Sequence, residues 1–300
     1  MNYVFAGSDK TAATVLGWLC ANHAPSLVIT REDAAFGRKK ELKQTKVAEI
    51  ASENGIEVIK TNDPSAALEK ITQSGASRGI VVSYGAILKD QVLAALDWYN
   101  LHFSLLPEFR GAAPVQRAIL NDHSPTGVTV FQIDKGMDTG PIYSQKTVDI
   151  SGLNTELALE KMTNASLPIL EKLLKDQHPE LAEQKPGGSY APKLTRDECR
   201  LNFNDNAKLL HQVVLAAYPE PVAWTEHKGQ TFRIISAQTN GLKMPEDQKP
   251  PGSVEKVGGK IYVVCGESTR LELIEVQPFS KKPMPAVDWF NGVGETIFDN

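Results

Sequence analysis

Short apolar runs alternate with amphipathic stretches through the first half of the chain, a pattern that predicts strands alternating with helices. Runs rich in Val, Ile and aromatic residues predict strands at 3–6, 27–29, 56–59, 79–82, 98–102 and 128–133. Stretches with helical spacing predict helices at 10–22, 44–54, 64–74 and 154–175. This order indicates an open α/β sheet of parallel strands covered by helices, with its functional site at the carboxyl ends of the strands.

A break rich in Pro, Gly and Ser at 183–189 separates this half from a region with a different pattern. One helical stretch at 205–217 precedes five short apolar runs with glycine-containing turns. These runs predict strands at 222–227, 230–238, 252–257, 260–265 and 270–276. Short strands at near-regular spacing are typical of a small β-barrel of the oligonucleotide-binding type. We therefore expect an α/β domain, a linker and a C-terminal β-barrel domain, at 1–184, 185–204 and 205–300 respectively.

The composition narrows the class of protein. The 300 residues carry 32 basic and 36 acidic side chains, and the net charge of −4 argues against a uniformly basic nucleic-acid binder. Every apolar run is shorter than the roughly 20 residues that cross a bilayer, and the amino terminus lacks a signal-peptide pattern. Cys20, Cys199 and Cys265 lie far apart, so neither a zinc site nor a disulfide framework is predicted. We expect a cytoplasmic monomer without membrane or DNA partners.

The densest chemical signal is the run Asn100-Leu101-His102 in the strand predicted at 98–102. Residues at i and i+2 of a strand point to the same face, so Asn100 and His102 would face one cleft. An amide N–H and an imidazole N–H are suitable donors to an oxygen that gains negative charge. A histidine in an apolar stretch is also a common structural residue of a core, and the doublet alone leaves both interpretations open.

A second signal is the glycine-containing turn after the strand predicted at 128–133, which carries Asp138. Acidic residues between glycines usually only shape a turn. Alternatively, Asp138 brings a carboxylate to the sheet edge, where it would accept a proton or favour the imidazolium form of His102. The chain has no GxGxxG, GxxxxGK[ST] or GxSxG pattern and no metal-ligand histidine spacing. No dinucleotide, serine nucleophile or metal is therefore predicted.

Positive charge is concentrated at residues 38–46, on a long loop predicted to lead into a helix. Five cations stand there against one acidic residue: Arg38, Lys39, Lys40, Lys43 and Lys46. A run of this kind is most often a solvated surface. Five cations beside the carboxyl end of a strand are also suited to bind several phosphates.

Three motifs follow one another along the chain. They are Asn100-x-His102-x-Ser104-Leu105-Leu106-Pro107, Arg110-Gly111-Ala112-Ala113-Pro114-x-Gln116 and Gly136-Met137-Asp138-Thr139-Gly140. Together and in this order they resemble the formyltransferases that use 10-formyltetrahydrofolate. The resemblance implies a Rossmann-like catalytic sheet, 10-formyltetrahydrofolate as formyl donor without a metal, and a catalytic trio of Asn100, His102 and Asp138.

The resemblance also implies which surfaces bind the substrates. The folate would contact two loops: Ser104, Leu105, Leu106 and Pro107, with Tyr84, Gly85, Ile87 and Leu88. The Arg110–Gln116 run and a similarity that continues beyond the linker are typical of members that formylate methionyl initiator tRNA for translation initiation. In those members a basic loop reaches the acceptor stem, which implies tRNA contacts for Arg38, Lys39, Lys40 and Lys43.

Two other functions stay open at this point. A formyltransferase for an amino sugar nucleotide would share the catalytic trio and differ in its acceptor, and a non-catalytic RNA-binding protein would share the scaffold. The Arg110–Gln116 run, the basic loop and the barrel favour the tRNA substrate. Phe103 and Glu108 depart from the family pattern, which has Gly or Pro at the first position and often a basic residue at the second.

Overall fold

The computed structural model describes residues 2–36, 41–239 and 249–299. The chain divides into two compact units, each assembled from three segments. The first unit comprises Met1–Pro114, Pro125–Asp149 and Leu159–Ala191, and the second comprises Val115–Ser124, Ile150–Ala158 and Pro192–Asn300. The domain boundaries expected at 184 and 204 stay predictions.

The first unit contains the α/β sheet. Its strands among the described residues are β1 (Tyr3–Gly7), β2 (Leu27–Thr30), β3 (Ala34–Phe36), β4 (Glu41–Lys43), β5 (Val58–Lys60), β6 (Arg78–Val82), β7 (Asp97–His102), β8 (Thr126–Gln132) and β9 (Ile142–Val148). The α-helices up to residue 175 in the described ranges are α1 (Lys10–Asn22), α2 (Lys46–Glu53), α3 (Leu68–Gln73), α4 (Asp90–Leu93), α5 (Pro114–Leu120) and α6 (Thr155–Lys175). A 3₁₀ turn, Pro64–Ala67, precedes α3.

Seven of these strands form one sheet, in the order β5-β2-β1-β6-β7-β8-β9. The five strands β5, β2, β1, β6 and β7 pair in parallel, as predicted. In contrast, β8 pairs antiparallel with both of its neighbours, β7 and β9. The expectation of an all-parallel sheet is therefore wrong at this edge. Only residues 133–141 connect β8 to β9, fewer than the dozen that a parallel crossover needs, so the two strands form a hairpin. The sequence pattern missed β9 because much of this edge strand is exposed.

The central strands are apolar on both faces, because helices cover them. Every residue of β1, β2 and β6 is buried, which is typical of parallel strands. The first crossover helix begins at a side-chain cap, since the Asp9 carboxylate accepts a hydrogen bond from Ala12 N at 2.8 Å. Asp9 thereby lies directly after β1, at the edge where the carboxyl ends of the strands meet.

The predicted basic loop, 38–46, contains the short strand β4, which pairs with β3 just before the loop. β3 and β4 pair antiparallel, with Ala34 opposite Lys43. The helix that follows begins at Lys46, where the Thr45 hydroxyl accepts a hydrogen bond from Ala48 N at 3.1 Å. A loop over 38–46 was predicted because three-residue strands are too short to show an alternating pattern.

The second unit contains an antiparallel sheet. Its described strands are β10 (Ala223–His227), β11 (Gln230–Gln238), β12 (Ser253–Val257), β13 (Lys260–Cys265), β14 (Thr269–Gln277), β15 (Met284–Pro285) and β16 (Thr296–Ile297). Its helices among those residues are α7 (Ala207–Ala217) and α8 (Ala286–Val293), with a 3₁₀ turn at Asp197–Cys199. The sheet order is β10-β11-β14-β13-β12-β16, and β15 pairs with β14.

This sheet curls into a half-barrel around an aromatic core. A single bridge between Glu226 and Asp299 brings β10 beside the segment that follows β16. The Trp289 ring stacks on Phe298 inside, with centroids 5.6 Å apart, and Phe232 is 4.9 Å from Phe298. The fold class is confirmed as an α/β sheet followed by a curled antiparallel sheet, although the sequence pattern missed α8, β15 and β16. Within the described ranges, no helix has the length and apolar character to span a bilayer.

Close packing between two sheet strands gives a test of this fold. An ideal Cβ added at Gly79 on β6 would lie 2.1 Å from Cε3 of the buried Trp98 ring on β7. We predict that Gly79→Ala lowers the free energy of unfolding by about 1–3 kcal/mol, because the ring has no room to move. The matched control is Gly17→Ala in α1, where the added carbon meets only Ile50 Cδ1 at 3.9 Å. This control should gain up to about 1 kcal/mol from helix propensity.

Urea unfolding followed by tryptophan fluorescence measures both effects. A Gly79→Ala protein as stable as the wild type would contradict the close contact between β6 and β7.

Candidate functional site

A cleft of about 1350 Å³ opens at the carboxyl edge of the main sheet. Its lining includes residues that end or follow three parallel strands: Asp9 after β1, Val81 and Ser83 at the end of β6, and Asn100 and His102 on β7. This position agrees with the rule that open α/β sheets bind ligands beyond the carboxyl ends of their strands.

The structure brings the three predicted catalytic side chains to this cleft. Asn100 and His102 occupy i and i+2 of β7, and Asp138 lies in the turn after β8; all three line the cleft. The His102 Nδ1 atom is 3.7 Å from Asp138 Oδ2. His102 and Asp138, 36 positions apart in the sequence, come together because β7 and β8 are neighbours, with His102 opposite Thr129 in the register.

His102 is buried, and a backbone carbonyl holds its ring. The Nε2 atom lies 2.8 Å from the carbonyl oxygen of Phe109, which can only accept a hydrogen bond, so Nε2 carries a proton. Phe109 has a positive φ of 57°, an uncommon backbone conformation for a bulky residue. In the neutral ring, Nδ1 is therefore the unprotonated nitrogen. The donation expected from the imidazole to a substrate oxygen then requires a proton on Nδ1.

Asp138 favours the imidazolium form of His102, as expected, but burial has the larger and opposite effect. Burial lowers the pKa of His102 below its ordinary value, because the charged ring loses its water. The Asp138 carboxylate and the hydrogen bond to Phe109 act in the opposite direction and offset part of this effect. Burial thus favours the neutral ring, and Asp138 is the group that makes its protonation less costly.

Asp138 is held by a backbone N–H and by the turn that carries it. Its Oδ2 atom accepts a hydrogen bond from Gly111 N at 2.7 Å, and its own φ is 54°. The turn that carries it is braced by Asp134, which accepts hydrogen bonds from Gly136 N at 3.0 Å and from the Thr139 hydroxyl at 2.8 Å. The carboxylate thus faces His102 from a loop with little freedom.

Sequence reasoning missed Gln184, which lies in the break interpreted as the start of a linker. Its Nε2 atom donates to the carbonyl oxygens of Asp138 and Gly140, both at 2.8 Å. Its Oε1 atom accepts from Arg110 Nη2 at 2.6 Å. Gln184 therefore ties the turn that carries Asp138 to the loop after β7. A glutamine beside Pro and Gly gives no sequence signal for such a role.

The following segment also packs against this loop. The Ser189 hydroxyl accepts from Phe109 N at 2.9 Å and donates to Glu108 Oε2 at 2.5 Å, and Arg110 N donates to Ser189 O at 2.9 Å. Glu108, one of the two departures from the family pattern, thus has a local structural partner. Phe103, the other departure, is buried and lines the cleft.

Of the two loops predicted to bind folate, one lines the cleft and the other does not. Tyr84, Gly85, Ile87 and Leu88 line the cleft, and the buried Tyr84 hydroxyl donates to Thr61 O at 3.0 Å. Burial raises the pKa of Tyr84 to about 12, so its phenol stays neutral and keeps this hydrogen bond.

The second loop, Ser104 to Pro107, is not part of that lining. Ser104 is fully buried and donates to Glu108 O at 2.5 Å. Leu106 is buried as well, and its N–H donates to the Thr129 hydroxyl at 3.1 Å. These contacts hold the loop after β7 in position, and direct contact of Ser104, Leu105, Leu106 and Pro107 with folate stays a prediction.

The remaining predictions concern the tRNA contacts and a metal site. Of the predicted tRNA contacts, Lys43 is exposed on β4, whereas Arg38, Lys39 and Lys40 lie outside the described residues. In the described part of the chain, no three His, Cys, Asp or Glu side chains are grouped to hold a metal ion. Cleft residues that the sequence did not suggest are Asp9, Lys89 and Asp90.

Two protein-family models match the chain. The model "Formyl transferase" matches residues 2–168, and "Formyl transferase, C-terminal domain" matches residues 193–294. The chain therefore belongs to the formyltransferase family. It is 38% identical over 304 residues to a protein named methionyl-tRNA formyltransferase from Thermobifida fusca (strain YX), covering 97% of this chain and 96% of that relative. A relative of the same name from Clavibacter michiganensis is 36% identical over 301 residues, covering 98% of this chain and 97% of that relative.

Solved structures share the fold at low sequence identity. The sugar 3N-formyl transferase WlaRD, crystallised with dTDP and 5-N-formyl-THF, has a TM-score of 0.67 and 18% identity, covering 94% of this chain and 99% of its own. The methionyl-tRNA formyltransferase of Clostridium thermocellum has a TM-score of 0.61 and 14% identity, covering 89% of this chain and 100% of its own. A HypX variant from Aquifex aeolicus has a TM-score of 0.68 and 14% identity, covering 97% of this chain and 48% of HypX. This chain therefore spans about half of that protein.

The burial of His102 predicts how its ring titrates. We expect a pKa below the ordinary value of about 6.5, and a lower one still in Asp138→Asn, which removes the charge that favours the imidazolium. NMR titration of the ring resonances, assigned by comparison with His102→Gln, measures both values. A pKa that stays the same or rises in Asp138→Asn would contradict the assigned role of the carboxylate.

Proposed function

We propose that the protein transfers a formyl group from 10-formyltetrahydrofolate to the free α-amino group of methionyl initiator tRNA. The observation that carries the proposal is the convergence of Asn100, His102 and Asp138 on one cleft in a member of the formyltransferase family. The choice of acceptor rests on full-length relatives at 36–38% identity that are named methionyl-tRNA formyltransferase. We expect the enzyme to act as a cytoplasmic monomer.

In the proposed reaction, the amine of the methionyl group attacks the formyl carbon carried on N10 of the folate. The new N–C bond displaces the carbonyl π electrons onto oxygen, which gains negative charge. Asn100 lines the cleft on the same strand face as His102, and we assign its amide N–H to that oxygen. One donor of this kind is worth about 10²–10³ in rate. The carbonyl then re-forms as the bond to N10 breaks.

His102 and Asp138 are assigned to the proton transfers. The ring donates Nε2–H to the Phe109 carbonyl, so the lone pair of Nδ1 is the site that takes the proton lost by the amine. The Asp138 carboxylate, 3.7 Å away, stabilises the imidazolium that results. Protonated Nδ1 then donates to the leaving N10, which returns the ring to its neutral state. This route uses no metal and no covalent bond to the enzyme.

The folate donor is assigned to the wall formed by residues 84–88. Tyr84, Gly85, Ile87 and Leu88 offer apolar surface and backbone polar groups, the combination that binds a flat heterocycle with polar edges. We assign to Ser104–Pro107 the task of holding the loop after β7, through Ser104 and the Glu108 carbonyl.

The tRNA is assigned to the basic segment and to the curled sheet of the second unit. A protein of net charge −4 needs its phosphate contacts concentrated in one place. Lys43 and Lys46 belong to the described part of the basic segment, and the sequence adds Arg38, Lys39 and Lys40.

The chemistry is tested by formyl transfer from 10-formyltetrahydrofolate to methionyl initiator tRNA. We expect His102→Ala to lower kcat by about 10²–10⁴ and Asn100→Ala by about 10²–10³, with no transfer to unacylated tRNA. His178→Ala is the matched control, since His178 is an exposed histidine that does not line the cleft.

Full activity of His102→Ala would contradict the mechanism. Transfer to an amino sugar nucleotide with none to methionyl-tRNA would contradict the proposed acceptor.

The tRNA surface is tested by the salt dependence of binding. Replacing Arg38, Lys39 and Lys40 together with Gln should weaken tRNA binding, because fewer counterions are released. The slope of log Kd against log salt should fall by about 2–3.

The control removes three lysines outside the basic segment, with the triple change Lys70→Gln, Lys172→Gln and Lys175→Gln. The same loss of slope in both triple variants, or in neither, would contradict the assignment. Folate binding should be unaffected in both.

A further inference from the structure

Arg31 lies outside the cleft and contacts the wall to which the folate donor is assigned. It follows β2 directly and is half-buried. Its Nη1 atom donates to the carbonyl oxygen of Gly85 at 2.7 Å, and its Nε atom donates to Asn62 Oδ1 at 2.5 Å. The cleft lining includes Gly85 but not Arg31. The guanidinium therefore holds the wall at residues 84–88 from the side away from the cleft.

The direction of the guanidinium is fixed by its second partner. Asn62 is itself held, because its Nδ2 atom donates to Glu32 Oε2 at 2.9 Å. The planar arginine head holds two acceptors in fixed directions, which a lysine ammonium cannot do. A hydrogen bond from a charged donor is also stronger than one between neutral groups. Arg31 thus gives the Gly85 carbonyl a strong partner of defined orientation.

The backbone just before this carbonyl is held as well. The Ser8 hydroxyl donates to Tyr84 O at 3.1 Å, and the same hydroxyl accepts a hydrogen bond from Arg31 N at 3.1 Å. Gly85 has a φ of 76°, a conformation that glycine adopts readily and other residues do not. A Cβ added at Gly85 would lie 3.2 Å from Arg31 Nη1, closer than an ordinary contact. Two neighbouring carbonyls of the wall are therefore held by Ser8 and Arg31.

The orientation of the Gly85 carbonyl determines the orientation of the next N–H. In a planar trans peptide the C=O and N–H bonds point in opposite directions, and the peptide between Gly85 and Ala86 is trans. The Ala86 N–H therefore points away from Arg31. Ala86 lines the cleft, so the peptide that Arg31 holds belongs to the surface that a ligand would meet.

We propose, resting on the proposed function, that Arg31 is a positioning residue for the formyl donor. By holding the Gly85 carbonyl, it aims the Ala86 N–H at an acceptor atom on the polar edge of the folate heterocycle. Without this contact the peptide adopts other orientations, because glycine permits them, and the donor loses a preorganised hydrogen bond. In this role Arg31 contacts neither the formyl carbon nor the attacking amine, so it affects donor binding and leaves the chemical step unchanged.

The test measures kcat and the KM for 10-formyltetrahydrofolate, with methionyl initiator tRNA saturating. We expect Arg31→Ala to raise this KM about tenfold, the effect of losing about one hydrogen bond, while kcat stays within about twofold of the wild type. Arg31→Lys keeps the charge but cannot hold Gly85 and Asn62 together, so its KM should also stay at least about threefold above the wild type.

Lys60→Ala is the matched control. Lys60 lies opposite Thr30, the residue before Arg31, and pairs with Asp33 at 2.8 Å without lining the cleft. The variant removes the same positive charge from the same region, and its KM for the donor should stay within about twofold of the wild type. An equal rise of KM in Lys60→Ala and Arg31→Ala would overturn the proposal, because charge alone would then attract the anionic donor. A wild-type KM in Arg31→Ala or in Arg31→Lys would overturn it too.

The Ala86 amide resonance reports the proposed contact without turnover. Binding of 5-formyltetrahydrofolate should move this proton downfield in the wild type and in Lys60→Ala, because a hydrogen bond forms. Arg31→Ala at saturating ligand should lose most of the shift. The resonance is assigned with ¹⁵N-alanine labelling and its loss in Ala86→Gly.

An Ala86 proton that does not shift in the wild type, or that shifts equally in Arg31→Ala, would contradict the assigned role. Absence of formyl transfer by the wild type would reject the proposed function instead, and the amide shift would still test Arg31.

Discussion

The hydrogen bond between His102 Nε2 and the Phe109 carbonyl is the contact on which the rest of the site depends. It fixes the ring at the end of β7 and leaves Nδ1 facing Asp138. The carbonyl can point at the ring because Phe109 has a positive φ, and Ser189 holds that residue through its N–H. A strained backbone residue at the centre of a site is tolerated where its surroundings determine its conformation.

Much of the fold and the position of the three candidate side chains at the sheet edge could be predicted, because both depend on local patterns. The i and i+2 spacing put Asn100 and His102 on one face, and their order with Asp138 carried the family resemblance. The edge strand β9 and the short strands β3 and β4 could not be predicted, since exposed or very short strands lack apolar alternation. The antiparallel direction of β8 against β7 could not be predicted either, because the segment 103–125 between them is long enough for a parallel or an antiparallel connection.

The protonation of the site could not be predicted from residue types. The sequence suggested a histidine charged by its aspartate, whereas burial lowers the pKa of His102 despite Asp138. Burial depends on how the loop after β7 folds over the ring, and that loop is held by Ser189 and Gln184, more than 70 residues further along the chain. No local pattern around Asn100 or His102 reports these contacts.

The stretch from Gln184 to Ser189 decides where the catalytic unit can be cut from the rest of the chain. A fragment that stopped after α6, at Lys175, would contain Asn100, His102 and Asp138 and the whole of the first family match. It would lack the amide that holds the Asp138 turn and the hydroxyl that holds Phe109. Such a fragment would keep the three proposed catalytic side chains but lose the contacts that hold their loops in place. A truncated or grafted version of this enzyme therefore has to include residues 184–189.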